Sequence, residues 1–335
     1  MAAGAPPPPA RSVEKGTEMA ITAAPADRLA RPPAGSPPPR GTGRRRTRSA
    51  LLFLAPFGLV FVTMMVAPIG YALYQSFFRV ERSGLGLAAP TNAFAGAANY
   101  LAALRDSEFM ASFGRVLLIG VVQVPLMLGI ALLLALLLDA RFAAFKRTFR
   151  MIYFLPYALP GVIAAIMWSF LYQPSISPFT AAFKHFGLDV DFLSGDLVLG
   201  SIGNMMTWGY TGFNMLIIYS ALQAIPGELT EAAGLDGCGW WRIVWHVKIP
   251  AVRPALILTA VFSIIGTAQL YNDPEILHQV APTVSSSYTP IMAAQQSAAI
   301  NNYNYAATQS IILAVLTFVL SFGFLKLTQR KGAQT

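Results

Sequence analysis

The 335 residues are 55% hydrophobic and only 12% charged, with a mean hydropathy of +0.54. That balance excludes an ordinary soluble domain and points to a membrane protein. The formal charge of +9 does not mark a nucleic-acid partner, because nine Lys and Arg against three acids fall within residues 1–48 and leave the remainder only weakly basic.

Residues 1–49 read as a basic cytoplasmic tail of Pro, Ala and Gly, with too few bulky apolar side chains to offset the entropy of ordering, and hence as disordered. Six apolar segments follow, at 50–78, 116–138, 151–172, 197–223, 255–271 and 306–325. Each approaches the roughly 20 residues a helix needs to cross a bilayer. Residues 50–330 are therefore expected to form one all-α transmembrane domain. The first segment follows Arg44, Arg45, Arg46 and Arg48, is longer than a signal-peptide core and has no small-residue cleavage site, so it reads as an uncleaved anchor. Arg and Lys collect in alternate connections: the tail, then Arg141 to Arg150, then Arg242 to Arg253, then Lys326 to Lys331. By the positive-inside rule both termini and the loop at 226–250 are cytoplasmic.

The central portions of these segments hold no Asp, Glu, Lys, Arg or His. Ion-driven pumps place such groups at membrane depth, so their absence counts against one. There is no phosphate loop, no H-E-x-x-H and no complete G-x-G-x-x-G, and His185, His246 and His278 lack metal-ligand spacing. A single cysteine, Cys238, excludes an internal disulfide. No enzyme, metal or cofactor is expected, and energy for transport must come from a partner. Neutral polar residues are patterned instead. Asn204, Thr207, Trp208, Thr211 and Asn214 share one helical face, and Thr259, Ser263, Gly266, Thr267 and Tyr271 share another that runs into Gln269 and Asn272. Such stripes serve either as hydrogen-bonding glue between helices or as the lining for a polar, uncharged solute. Trp208, Asn214, Ser263, Thr267, Gln269 and Asn272 are the candidates for a substrate pathway. A phosphate or carboxylate would want Arg or Lys nearby.

Between the fourth and fifth segments, "ELTEAA" reads as a short helix, Gly234 and Gly237 allow a sharp turn, and "WWRIVWHVK" reads as a second short amphipathic helix. Pro250 and Pro254 bracket the return to the membrane. Small residues and one acid, Glu231, suit docking to another protein; an ordinary interfacial loop, in which Trp and basic residues are common, suits the same composition.

The stretch "ALQAIPGELTEAAGLDGCGWWRIVWHVKIPAVRPAL" resembles the signature of permease subunits of bacterial ABC importers, with Glu231, Ala232, Ala233 and Gly237 at its named positions and Asp236 also fitting. "FAGAANYLAAL", "ALLLALLLDARF", "YFLPYALPGVIAAIMWSFLYQPSISPF" and "TWGYTGFNMLIIYSALQAIP" resemble further landmarks of sugar permeases of the maltose type. The chain departs from that pattern at Cys238, where Ala is usual, and in "YNDPEILHQVAPTVSSSYTP", which lacks a Gly-rich stretch. The resemblance implies a six-helix MetI-like type I importer domain in the bacterial plasma membrane. It also implies a second permease in a heterodimer, two ATP-binding cassette ATPases, an extracytoplasmic solute-binding protein and a carbohydrate substrate, with Glu231, Ala232, Ala233, Asp236 and Gly237 coupling to the ATPase. A polyol or glycerol phosphate importer and a non-transporting membrane scaffold or sensor are the alternatives.

Overall fold

The structure, a computed structural model, describes residues 42–81 and 91–332. The tail expected over 1–49 therefore lies outside the described residues as far as residue 41. Contacts divide the chain into two units, 1–60 and 61–335. The described part of the first, residues 42–60, lies in helix α1 (Thr42–Phe61), whose Leu52, Phe53 and Phe57 are exposed as lipid-facing side chains would be.

The second unit opens with α2 (Ala67–Ser76) and a feature the all-helical expectation did not contain, an antiparallel ribbon of β1 (Phe78–Glu81) and β2 (Thr91–Phe94) with Phe78 opposite Phe94. Strands of four residues are too short to stand out as a period-two pattern. The ribbon is held at its root, where Asn99 Nδ2 donates to the carbonyls of Ser76 and Phe78 at 3.0 and 2.7 Å. Helices α3 (Ala98–Arg105), α4 (Ser107–Asp139), α5 (Lys146–Ala158), α6 (Gly161–Tyr172), α7 (Pro178–His185) and α8 (Val198–Gln223) follow. Then come α9 (Gly227–Leu235), α10 (Trp240–Ile243), α11 (Ile249–Ala268), α12 (Asn272–His278), α13 (Pro290–Ala299) and α14 (Tyr303–Gly332).

Among the described residues four helical runs are long and apolar enough to cross a membrane: Leu52–Ser76, Ser107–Asp139, Trp240–His278 and Tyr303–Gln329. The segment expected at 151–172 is not one rod. It is α5 and α6 meeting at 92°, and it makes a fifth crossing if the bent pair counts as one. The corner falls at Leu159 and Pro160, where Pro160 lacks the N–H to continue α5 and holds the residue before it in extended backbone. Helix α8 has the length for a crossing, but its polar stripe keeps it out of the apolar set.

Two prolines expected to bracket the return to the membrane leave the helix unbroken. Pro250 and Pro254 lie inside an unbroken helical path from Trp240 to Ala268, so "WWRIVWHVK" is the first part of the fifth span rather than a separate helix. The path survives because Val244–Lys248 widens into a π turn, Ile249 N–H reaching back to Val244 O just before Pro250. The same device, Ala67 N–H to Val62 O, precedes Pro68. A wide turn shifts the hydrogen-bond register by one residue and makes room for a ring that cannot donate.

Helix α4 packs along α8, burying Ala131 and Ala135 against Met215 and Ile218. Small residues let the two backbones approach, which in lipid matters more than apolarity, since the tails are as apolar as the side chains. Closer still is the crossing of α5 and α8. A Cβ on Gly212 would lie 1.8 Å from the carbonyl oxygen of Tyr153, so only glycine fits. Arg115, on the third turn of α4, donates to the carbonyl of Tyr288 at 2.8 Å and sits 4.6 Å above its ring, tying the helix to the 285–289 connection. Burial raises the Tyr288 phenol above its ordinary value against the pull of Arg115, so the ring meets the guanidinium uncharged.

Candidate functional site

The corner between α5 and α6 opens a space against α8 and α11. Irregular backbone at membrane depth is tolerated where it lines a cavity, and two adjoining cavities lie here. The smaller, about 190 Å³, is walled by Gln123, Tyr157, Phe213, Asn214, Ser263 and Thr267 among others. The larger, about 400 Å³, is walled by Trp168, Trp208, Gln269, Tyr271, Asn272 and Asp273 among others. Tyr157, Met206, Tyr210 and Gly266 belong to both, so the two share a wall. Their size falls within or just below the roughly 300 to 1,000 Å³ of small-molecule pockets.

Aromatic side chains frame this space. Tyr157 stacks on Phe213 at 4.6 Å, and Trp208 meets Trp168 edge to face at 5.6 Å. Between them stand polar atoms that the fold leaves unused. Gln123 Oε1, Thr267 Oγ1 and Trp168 Nε1 are buried without a hydrogen-bond partner among the described residues. Asn214 Nδ2 has long contacts only, 3.4 Å to Ser263 Oγ and 3.6 Å to Met127 Sδ. Buried donors and acceptors are ordinarily satisfied, so unpaired polar atoms on three residues of the cavity walls are unusual. Neither wall includes Lys, Arg or His among the described residues.

The structure divides the polar stripes into two kinds. Thr207, Thr211 and Thr259 spend their hydroxyls on carbonyls of their own helices at 2.5–3.0 Å, and Asn204 donates to the Tyr172 hydroxyl at 2.8 Å. Those are structural. Trp208, Asn214, Ser263, Thr267, Gln269 and Asn272 all lie in the cavity walls. Sequence reasoning passed over Gln123, Tyr157, Trp168 and Asp273. Gln123 did carry a signal, as a lone carboxamide in the apolar run of α4.

At the other pole, α9 and the turn after it present Glu231, Ala232, Asp236 and Gly237 exposed and Ala233 half-buried. The helix closes on Gly237 at φ +76°, with Gly237 N–H to Gly234 O at 3.1 Å and Cys238 N–H to Ala233 O at 3.0 Å. That is a left-handed glycine cap, which side chains with a Cβ adopt only under strain. Glu231 makes no ion pair or side-chain hydrogen bond among the described residues and borders a recess of about 690 Å³ with Arg141, Phe142 and Leu235. The floor of the recess is charged and closed. Lys248 pairs with Asp139 at the end of α4, both side chains only 13% exposed, and Gln223 at the end of α8 donates to the same carboxylate at 2.7 Å. Three helices are thus pinned where α9 departs.

Residues 127–331 match the model of the binding-protein-dependent transport system inner membrane component family. The chain belongs to this family. It is the non-enzymatic inner-membrane permease of an importer that works with an ATPase and a solute-binding protein. The permease is 28% identical over 273 residues to the sn-glycerol-3-phosphate transport system permease protein UgpA of Brucella abortus, covering 80% of this chain and 90% of that one. It is 25% identical over 281 residues to the arabinooligosaccharides transport system permease protein AraP of Bacillus subtilis, covering 83% and 87%. Its fold is that of a bacterial ABC transporter involved in the import of the acidic polysaccharide alginate, with a TM-score of 0.72 at 18% identity over 86% of this chain and 98% of that one.

Proposed function

We propose that the permease carries an uncharged di- or oligosaccharide. The observation that supports this is the cavity wall, where aromatic faces suit the C–H surfaces of a sugar ring and polar side chains such as Asn214, Ser263, Gln269 and Asn272 suit its hydroxyls, with no Lys, Arg or His among the described residues to hold an anion. The name of the arabinooligosaccharide relative agrees with it. Residues 50–330 form the permease body, with α8 as one of six spans and both termini cytoplasmic. It pairs with a second, homologous permease and two ATPases, and an extracytoplasmic binding protein delivers the sugar. Closure of the ATPases on ATP moves α9 through Glu231, and the motion opens the cavity outward.

The glycerol-phosphate relatives support a second reading, transport of a phosphorylated polyol. Uptake of labelled solutes by proteoliposomes holding the assembled importer separates the two. Entry of a neutral saccharide on ATP supports the first reading, and entry of sn-glycerol 3-phosphate alone overturns it. In the same vesicles Glu231→Lys is expected to leave insertion intact and to abolish uptake. Normal uptake and normal retention of the ATPases would remove Glu231 from the coupling contact.

A further inference from the structure

The wall of the larger cavity carries one carboxylate, Asp273, which the neutral stripes do not account for. It stands on the second residue of α12, within the apolar run Trp240–His278, and makes no ion pair or side-chain hydrogen bond among the described residues. The other cavity-wall residues are uncharged. A carboxylate in a cavity wall without a partner is costly to desolvate, and such a group is a candidate for a functional role. Trp208, Tyr210, Gln269, Tyr271 and Asn272 surround it on the same wall.

We propose that Asp273 is a specificity-determining residue, which accepts hydrogen bonds from hydroxyls of the saccharide and turns away phosphorylated and carboxylated solutes. The proposal rests on the carbohydrate reading above. A carboxylate offers two oxygens and about four lone-pair sites, so it can take two neighbouring hydroxyls of one ring at once, and bonds to an ionised acceptor are stronger than those to a neutral one. A phosphate entering the same space would face like charge with no cation to offset it.

The test uses the assembled importer with its binding protein in proteoliposomes, with labelled cellobiose, maltose, trehalose, raffinose and sn-glycerol 3-phosphate as probes and ATP hydrolysis read in the same vesicles. At least one saccharide is expected to enter. Asp273→Asn is expected to lower that entry about tenfold or more per assembled complex. Unchanged saccharide entry in Asp273→Asn overturns the role of Asp273 and leaves the carbohydrate reading standing. Entry of sn-glycerol 3-phosphate alone overturns both. Should the variant fail to assemble, the unmutated complex decides the point: dicyclohexylcarbodiimide labelling of Asp273, read by mass spectrometry, is expected to fall when the transported saccharide is present. Labelling indifferent to the saccharide overturns the proposal.

Discussion

Thr211 and Thr267 belong to matching polar stripes and do opposite things. The hydroxyl of Thr211 is closed on the carbonyl of Thr207 at 2.5 Å, whereas that of Thr267 is buried, idle and at the cavity wall. Replacing an unsatisfied hydroxyl by a methyl removes a desolvation cost and no bond. Thr267→Val is therefore expected to leave the thermal midpoint of the purified complex unchanged or raised, and to lower saccharide uptake severalfold. Thr211→Val should alter neither strongly. A fall in midpoint for Thr267→Val without loss of uptake would make its hydroxyl structural. Gly212 poses a harder steric question, since any Cβ there collides with the Tyr153 backbone, which cannot rotate away as a side chain would. Gly212→Ala must separate α5 from α8 at a cost of about 3 kcal/mol or more, and poor yield of assembled complex is the expected readout.

At the scale of elements, the join of α4, α8 and the start of the α10–α11 rod depends on Asp139, Gln223 and Lys248. Removing one partner of a buried pair leaves the other charge stranded, typically at about 3 to 5 kcal/mol, whereas removing both is often nearly neutral. Asp139→Asn should therefore depress the midpoint of the complex more than the double variant Asp139→Asn with Lys248→Met. If the double variant is the worse of the two, the pair is not what holds this join. Little of the join was legible in the sequence, because Asp139 and Lys248 are 109 residues apart and each reads alone as a charge at a helix end. The stripes on α8 and α11 were legible, since helical spacing survives in any packed fold. Which hydroxyls stayed free was not, because a threonine bonded to its own backbone and an idle one look alike. The corner at Pro160 was visible as a residue but hidden by hydropathy, which sums apolar side chains and ignores the direction of the chain. Pro250 and Pro254 misled in the opposite sense, since the π turn that accommodates Pro250 has no sequence mark.

For the whole molecule, the two poles of the permease are joined by that unbroken helix. At 1.5 Å per residue, the path from Trp240 beside the recess to Thr267 at the cavity wall is about 40 Å long, and its end at the recess is held by the pair of Lys248 and Asp139. Beyond the turn at 236–239 that separates it from α9, this helix is a stiff strut between recess and cavity, with no loop within it. With Cys238 replaced by Ala, spin labels at positions 241 and 262, both exposed, should stand about 30 Å apart by helical rise, and should hold that separation within about 2 Å, less than half a helical pitch, with and without nucleotide. A change of a whole helical pitch would mean that the strut buckles, and the wide turn at Val244–Lys248, with its one surplus residue, is where the slack would be found.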